Sequence, residues 1–229
     1  MVGGLCKTFL KCLIGQHTRL SRDHLTPELI LHLITPACHL WHASLENSPL
    51  DDPFWAFYWP GGQALTRYIL DNPGLFHGKT VLDLGSGCGS AAIAAALAGA
   101  SKTVANDIHP VAEVAIEMNM EKNGVQVKPE TYNYLMCQPT PSQNTPKFDI
   151  ILMGDMFYDP DFTHLISKWL RSIHPDSMVL IGDPGRLPFR QHPLQSSLKC
   201  LHQYNLTKTS QLENNGLTQA SIWLLHEPR

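Results

Sequence analysis

Residues 81–89 read VLDLGSGCG, and this stretch decides the fold. A short apolar run that carries one acid leads straight into Gly85, Gly87 and Gly89, with Ser86 inside the turn. Glycine lets a chain turn tightly after a strand, and a ligand can then approach the main-chain N–H groups at the start of the next helix. The pattern predicts a buried strand, a ligand-binding turn and a helix, in that order.

Outward from this turn, the sequence alternates between strand and helix patterns. An Asn-Gly turn within residues 214–216 predicts an antiparallel hairpin of two strands, 204–212 and 217–225. The alternation before it is typical of a doubly wound parallel sheet. We therefore expect an α/β, Rossmann-like fold whose seven-stranded sheet ends in an antiparallel hairpin. The other predicted strands are 80–84, 103–106, 125–132, 148–153 and 178–181, and the predicted helices are 90–97, 110–123, 162–173 and 194–201.

The composition is that of one α/β domain with a short appendage. With 229 residues, 43% of them hydrophobic, the chain can bury a single sizeable core. We divide it into an N-terminal cap with a lead-in helix, residues 25–75, and a Rossmann-like domain, residues 76–229. A formal net charge of -3 without a long Lys/Arg stripe argues against a nucleic-acid partner.

The six cysteines are widely spaced and form no CxxC pair, which is typical of a protein kept in a reducing compartment. Three possible metal ligands, Cys38, His39 and His42, do lie close together, but the sequence offers no fourth. Structural zinc sites use four protein ligands. We therefore expect free thiols and no metal site.

The first 22 residues carry four Lys or Arg side chains and no acid, interleaved with apolar residues such as Phe9 and Ile14. This composition is typical of a mitochondrial transit peptide, which we place at residues 1–24. An ordinary frayed N-terminus is the alternative, because the basic residues are few. Lys11 interrupts the apolar residues and no stretch is long enough to cross a bilayer, so we expect neither a secretory signal nor a membrane contact.

Two acids indicate which ligand the glycine turn binds. Asp83 lies two residues before Gly85, and the spacing GxGxG differs from the GxGxxG of dinucleotide-binding proteins. A carboxylate there would repel a pyrophosphate but attract the ammonium and sulfonium groups of S-adenosylmethionine. Asp107 follows the next strand, 24 residues beyond Asp83, close to the separation expected of an acid that binds ribose hydroxyls. We expect S-adenosylmethionine as the cofactor.

Alternatives to this interpretation stay open. An NAD-type or a non-enzymatic Rossmann domain would also carry a glycine turn after its first strand. Asp107 taken by itself equally suits the N-cap or first turn of a helix.

Residues after the third and fourth strands should close over the ligand, because open α/β sheets bind ligands beyond the carboxyl ends of their strands. Asn133 and Tyr134 follow the third strand, although a loop role without ligand contact suits them equally well. Gly154 and Asp155 follow the fourth, and Tyr158 comes three residues later. An acid and an aromatic ring can bind and orient an amine while its proton leaves to water. Asp155 and Tyr158 are therefore the predicted catalytic residues, with a helix cap as the alternative for Asp155.

The segment GDPGR, residues 182–186, follows the fifth strand. It can form part of a substrate mouth in which Arg186 faces an acidic partner. It can equally form a tight turn in which Asp183 and Arg186 satisfy each other.

The run from Asp155 to Tyr158 resembles the Asp-x-x-Tyr motif of the seven-β-strand lysine methyltransferases. A closer resemblance, to the members that act on the beta subunit of the electron transfer flavoprotein, rests on stretches spread over nearly everything after residue 25. They read LTPE from Leu25, DPFWAFYWPGGQAL from Asp52, VLDLGSGCG from Val81, ANDI from Ala105, LMGDMFYD from Leu152, LIGDPGR from Leu180 and ENNGLT from Glu213.

This resemblance implies a protein-lysine N-methyltransferase of the mitochondrial matrix that uses S-adenosylmethionine and methylates that beta subunit. It also implies that Trp59 contacts the cofactor, whereas the residue by itself would suit a core aromatic equally. We expect the enzyme to be a monomer. Two other functions stay open: methylation of another protein amine or of a small molecule, and a non-catalytic role as a Rossmann-fold binding or assembly factor.

Overall fold

A computed structural model describes residues 6–43, 48–136 and 147–226. In these ranges the helices are α1 (Lys7–His17), α2 (Pro60–Asp71), α3 (Pro73–Phe76), α4 (Ser90–Leu97), α5 (Pro110–Asn123), α6 (Pro160–Leu170), α7 (Leu187–Gln191) and α8 (Lys208–Glu213). The strands are β1 (Arg19–Ser21), β2 (Leu31–Leu33), β3 (Thr80–Leu84), β4 (Lys102–Asn106), β5 (Lys128–Glu130), β6 (Ile150–Gly154), β7 (Met178–Asp183), β8 (Leu198–Asn205) and β9 (Gln219–Leu225).

The central sheet has seven strands in the spatial order β5-β4-β3-β6-β7-β9-β8. The first five of these run parallel to one another, β9 lies antiparallel to β7, and β8 lies antiparallel to β9. The order reverses beside β3, so the carboxyl ends of β3, β4 and β6 meet where such sheets bind ligands. The predicted Rossmann-like seven-stranded fold is confirmed.

Helices cover both faces of the sheet, because alternate strand residues point to opposite sides. Val81 and Leu180 belong to a core that also contains apolar residues of α2 and α4. Leu82 and Val179 belong to the opposite core, where they pack with apolar residues of α6. The strands are therefore buried on both faces, as expected of a parallel sheet.

The C-terminal elements differ from the prediction. The predicted helix at 194–201 is wrong in its second half: residues 193–197 form a 3-10 helix, but residues 198–205 form strand β8 at the edge of the sheet. A β-bulge between Cys200 and His202 shifts the register, so that only Leu198, Leu201 and Tyr204 turn inward. Their spacing of three imitates a helical apolar face, which explains the error.

The predicted strand over residues 204–212 is also wrong in its second half. Residues 208–213 form helix α8, whose N-cap Thr207 accepts a hydrogen bond at Oγ1 from the Ser210 N–H at 3.1 Å. Asn215 and Gly216, both with positive φ, follow the end of α8 instead of joining two strands directly. The last two strands still pair antiparallel, with α8 between them in the chain.

The basic N-terminal segment contains helix α1, which packs against α5. Leu10 and Ile14 are buried in a core shared with α5 residues, and Lys7 and Lys11 form ion pairs with glutamates of α5. Strand β1 then pairs with β2. Residues 1–5 of the predicted transit peptide lie outside the described residues, and its removal stays a prediction. No helix among the described residues is long and apolar enough to cross a membrane.

Candidate active site

The glycine turn follows β3 and leads into α4, as the sequence predicts. Gly85, Gly87 and Gly89 all have positive φ, a conformation that L side chains rarely adopt. A Cβ on Gly85 would lie 2.0 Å from the sulfur of Met156, and one on Gly87 would lie 3.4 Å from the main-chain oxygen of Trp55. The turn is thus enclosed between the loop after β6 and the N-terminal cap, where only glycine fits.

Asp83 lies at the floor of this turn and is almost fully buried. Its Oδ2 accepts hydrogen bonds from Ser86 Oγ at 2.5 Å and from the Ala92 N–H in α4 at 3.1 Å. Burial, with a smaller contribution from the nearby Asp107, raises the pKa of the Asp83 carboxyl to about 7, against the hydrogen bonds from Ser86 and Ala92. A buried carboxyl of this kind gains from a bound cation, which would stabilise its charged form.

Asp107 lies at the end of β4, on the other side of the same turn. Its Oδ2 accepts from the Gly87 N–H at 2.9 Å and its Oδ1 from the His109 N–H at 3.0 Å. Burial raises the pKa of the Asp107 carboxyl, against the two hydrogen bonds. The N-cap of α5 is His109, whose ring accepts from the Val111 N–H. Asp107 therefore joins the glycine turn to the start of α5, and its carboxylate oxygens can each accept a further bond from a hydroxyl.

Asp155 lies just beyond β6 in the left-handed region, with φ 57°, and its side chain is only 4% exposed. Its Oδ2 accepts from the Gly62 N–H at the start of α2, at 3.0 Å. Its Oδ1 accepts from Arg186 twice, from Nε at 3.0 Å and from Nη2 at 2.7 Å. Burial raises the pKa of the Asp155 carboxyl, whereas Arg186 and the main-chain N–H groups lower it. Both oxygens of the predicted catalytic acid thus have partners within the protein.

The segment after β7 supplies one of these partners, Arg186, and its contacts combine parts of both sequence interpretations. The Asp183 side chain accepts at Oδ1 from the main-chain N–H groups of Gly185 and Arg186, at 2.6 and 2.8 Å. The Arg186 side chain turns instead toward Asp155, and its guanidinium carbon lies 5.6 Å from the centre of the Trp59 ring. Burial raises the pKa of the Asp183 carboxyl to about 7, with Asp155 adding repulsion.

Tyr158 marks the open side of this group. Its side chain is 58% exposed, stacks on Phe162 and lines a cavity of about 290 Å³ together with Arg186 and Leu217. A second cavity, of about 470 Å³, adjoins it across Pro184 and Gly185. Neither cavity is lined by the glycine turn. Both border the segment after β7, and the smaller one reaches Arg186, the hydrogen-bond partner of Asp155.

The remaining predicted residues fall into different surroundings. Trp59 is half-buried between Phe54 and Phe57, and its indole N–H donates to the Phe54 carbonyl at 3.1 Å. Tyr134 is a core residue, packed edge-on against Phe148, and its place over the ligand stays a prediction.

Asn133 lies just after β5 and Gly154 is the last residue of β6, close to the predicted positions. Asn133 is half-buried, and its Oδ1 accepts from the Met136 N–H at 3.2 Å. Gly154 ends β6, where a Cβ would lie 2.8 Å from the Cα of Gly62. Cofactor contacts of Trp59, Asn133 and Gly154 stay predictions.

The sequence interpretation missed Gly61 and Gly62, which allow α2 to approach β6 and β7. A Cβ on Gly61 would lie 2.2 Å from the Gly182 carbonyl oxygen and 2.6 Å from Asp155 Oδ2. Their signal is the run Pro60-Gly61-Gly62 at the start of a helix, since glycine is otherwise disfavoured there. The role of these glycines depends on which strand ends pack beside the helix in the folded protein, and a local sequence pattern does not show this.

The fold and the site together define a class I methyltransferase, the class that takes its methyl group from S-adenosylmethionine. A proposed RNA methyltransferase from Pyrococcus horikoshii has the same fold, with a TM-score of 0.53 at 16% identity over 72% of this chain and 84% of its own. The sequence model of a family described as lysine methyltransferase matches residues 55–186.

Two relatives carry the name electron transfer flavoprotein beta subunit lysine methyltransferase. The Mus musculus protein is 46% identical, over 98% of this chain and 88% of its own length. The Xenopus laevis protein is 47% identical, over 92% of this chain and 84% of its own length. The chain belongs to this family of lysine methyltransferases.

The close approach of α2 to the strand ends predicts unequal effects at two adjacent glycines. Gly61→Ala should lower the free energy of unfolding by about 1–3 kcal/mol or more, because main-chain atoms of β7 must move. Gly62→Ala is the matched control, since its Cβ would meet only Tyr58 at 3.9 Å and its N–H still donates to Asp155. Urea unfolding measures both, and equal stabilities would contradict the described packing.

Proposed function

We propose that this chain transfers a methyl group from S-adenosylmethionine to lysine side chains of the electron transfer flavoprotein beta subunit. The observation that carries the proposal is the placement of a buried, acid-flanked glycine turn beside the group formed by Asp155, Arg186 and Tyr158. The glycine turn suits a cationic nucleoside donor, and the group around Asp155 suits a basic acceptor. The names of the Mus musculus and Xenopus laevis relatives support this choice of acceptor protein.

The donor side has the residue types that S-adenosylmethionine requires. Asp83 offers a buried carboxylate to the ammonium and sulfonium end, and Asp107 offers a carboxylate to the ribose hydroxyls. Main-chain N–H groups of the turn at Gly85 and Gly87 can approach the ligand closely. When bound, S-adenosylmethionine supplies a methyl group on a positively charged sulfur, which makes the carbon open to attack by an amine.

The acceptor side has to bring a lysine nitrogen in line with that methyl group. Positioning does most of the work in such a displacement, because holding two reactants in place removes much of the entropic cost of their encounter. The cavity lined by Tyr158 and Arg186 has a volume of about 290 Å³, which can hold one lysine side chain. Arg186 joins this cavity to Asp155. Tyr158 offers an aromatic face to the side-chain stem and nitrogen.

The surroundings of the cavity lined by Tyr158 and Arg186, which we call the mouth, favour a protein acceptor over a small molecule. The larger adjoining cavity carries amide and hydroxyl groups from Gln195, Gln203, Gln219 and Ser221. Such groups can hydrogen-bond the main chain on either side of an acceptor lysine. A small acceptor would leave this second, polar cavity without a role.

We also propose that the enzyme acts in the mitochondrial matrix, as the basic, acid-free N-terminal segment suggests. Residues 1–24 fused to a fluorescent protein should then enter the matrix, and a diffuse signal would contradict the proposal. Cleavage after residue 24 would uncover the apolar face of α5 under Leu10 and Ile14. N-terminal sequencing of the protein recovered from mitochondria decides whether α1 stays attached.

A monomer is the proposed working state. Among the described residues, large exposed apolar side chains are spread over many parts of the fold, for example Phe9 in α1, Leu97 in α4 and Leu212 in α8. Light scattering of the purified full chain measures the mass directly, and a stable dimer would overturn this part of the proposal.

Methyl transfer by the full chain is the first prediction of the proposed function. Incubation with radiolabelled S-adenosylmethionine and a mitochondrial extract should label the flavoprotein beta subunit on lysine, as identified by mass spectrometry. Asp155→Asn should reduce the labelling by at least about 100-fold, because removing an orienting group of this kind costs several kcal/mol of the barrier. Label on a different protein or on a small molecule would contradict the substrate, and cofactor binding without any transfer would favour a binding protein.

Cofactor affinity should depend on pH through Asp83. Its carboxyl has a raised pKa of about 7, and a cation binds the ionised form, so affinity is full above that pH and falls as the pH drops through it. Between about pH 8 and pH 6 the dissociation constant of S-adenosylmethionine should rise about tenfold. Calorimetric titration measures this, and Asp83→Asn should bind weakly at both values without the pH dependence. An equal pH dependence in that variant would contradict the role of Asp83.

A further inference from the structure

The place expected to hold the acceptor ammonium already holds a cation. Arg186 donates two hydrogen bonds to one oxygen of Asp155, and its guanidinium lies against the Trp59 ring. A carboxylate with an aromatic wall is the combination that binds a basic side chain. The other oxygen of Asp155 accepts from the Gly62 N–H. An arriving ammonium would therefore find Asp155 already paired.

Exposure decides which of these groups an acceptor meets. The Asp155 side chain is 4% exposed and that of Arg186 is 25% exposed. Arg186 and Tyr158 line the cavity of about 290 Å³, whereas Asp155 does not. A lysine that enters through this cavity thus reaches the guanidinium and the phenol before the carboxylate.

The charges around Arg186 come from several elements. Asp155 follows β6 and Asp183 ends β7, while Arg190 lies one turn further along α7 and lines the larger cavity. On the Tyr158 side, the charges that act on the phenol are those of Asp159, Asp107 and Asp52. Asp183 already receives two main-chain N–H groups at one oxygen, and its other oxygen is buried without a partner among the described residues. Arg186 is the cation that lies between these acids and the mouth.

We propose that Arg186 is a positioning residue that fills the cation place beside Asp155, so that the site accepts the substrate lysine as the neutral amine. The inference rests on the proposed methyl transfer to lysine, and it adds how the lysine ammonium loses its proton before that transfer. A fixed positive charge beside the nitrogen disfavours its protonated form, because like charges repel most strongly away from water. The aromatic ring of Tyr158 and the apolar side chains of Leu187 and Leu217, which line the same cavity, then hold the uncharged side chain.

The reaction balances without a protein base. The lysine ammonium loses one proton to water as it enters the mouth. Its lone pair then forms the nitrogen–carbon bond, while the carbon–sulfur bond breaks and its electron pair stays on sulfur. The nitrogen keeps its remaining protons, so the product leaves as a methylated ammonium and one proton is released for each methyl transferred.

The pH dependence of kcat tests this, because kcat reports groups that titrate in the enzyme–substrate complex. A free lysine has a pKa of about 10.4, so the wild-type kcat should reach its plateau at least about one unit below that value. Arg186→Gln should move the rising part of the kcat–pH profile, its limb, to higher pH by about one pH unit or more. Arg186→Lys, which keeps the charge, should lower kcat but leave the limb in place.

Two controls identify the group that titrates. Arg171→Gln removes the same charge at the end of α6, outside the lining of both cavities, and should leave the limb unchanged. Replacing the acceptor lysine by S-aminoethylcysteine, a less basic amine, should move the limb downward if the limb belongs to the acceptor. If the pH at which kcat rises stays the same when the acceptor is replaced, an enzyme group titrates there, and the inference is overturned.

A second readout does not need the cofactor. The wild-type protein at neutral pH should bind a substrate peptide with norleucine at the acceptor position at least as tightly as the lysine peptide, and Arg186→Gln should prefer lysine. An equal preference for lysine in both proteins would overturn the inference while wild-type transfer stands. Absence of transfer by the wild-type enzyme at every pH would instead overturn the proposed function, and this inference with it.

Discussion

The buried carboxylate of Asp155 connects the parts of this enzyme that have to act together. One of its oxygens accepts from the start of α2 and the other accepts twice from Arg186 beyond β7. A buried carboxylate is costly unless it is paired and hydrogen-bonded, so these partners cannot be removed independently. The close packing of Gly61 against Gly182 follows from the same constraint, since it brings the N–H groups of α2 within reach.

The site then divides into a donor half and an acceptor half. On the donor side, Asp83 and Asp107 hold the glycine turn through its own N–H and hydroxyl groups. On the acceptor side, Arg186 and Tyr158 line an open mouth. The donor half is buried and suits a small cationic ligand, whereas the acceptor half is exposed and suits a side chain of another protein. The two halves follow neighbouring strands, because β3 leads into the glycine turn and β6, which pairs with it, leads into Asp155.

The sequence predicts this fold well where local patterns and tertiary contacts agree. The strand at 80–84 and the helix at 90–97 have the predicted bounds, because a buried strand followed by a glycine turn leaves few alternatives. Strand β8 is missed because its bulge makes the inward spacing look helical. Arg186 could be placed at the mouth, but its pairing with Asp155 joins residues 31 apart, and no local pattern encodes such a contact.

Asp155 and Arg186 form one mutually dependent pair around a buried carboxylate. A double-mutant cycle with Asp155→Asn, Arg186→Gln and the combined variant measures that dependence as a coupling in the free energy of unfolding. We expect the double variant to lose at least about 1 kcal/mol less than the sum of the single variants, since each single change leaves the other side chain without its partner. Additive losses would contradict the pairing, because they would mean that the two side chains stabilise the protein independently.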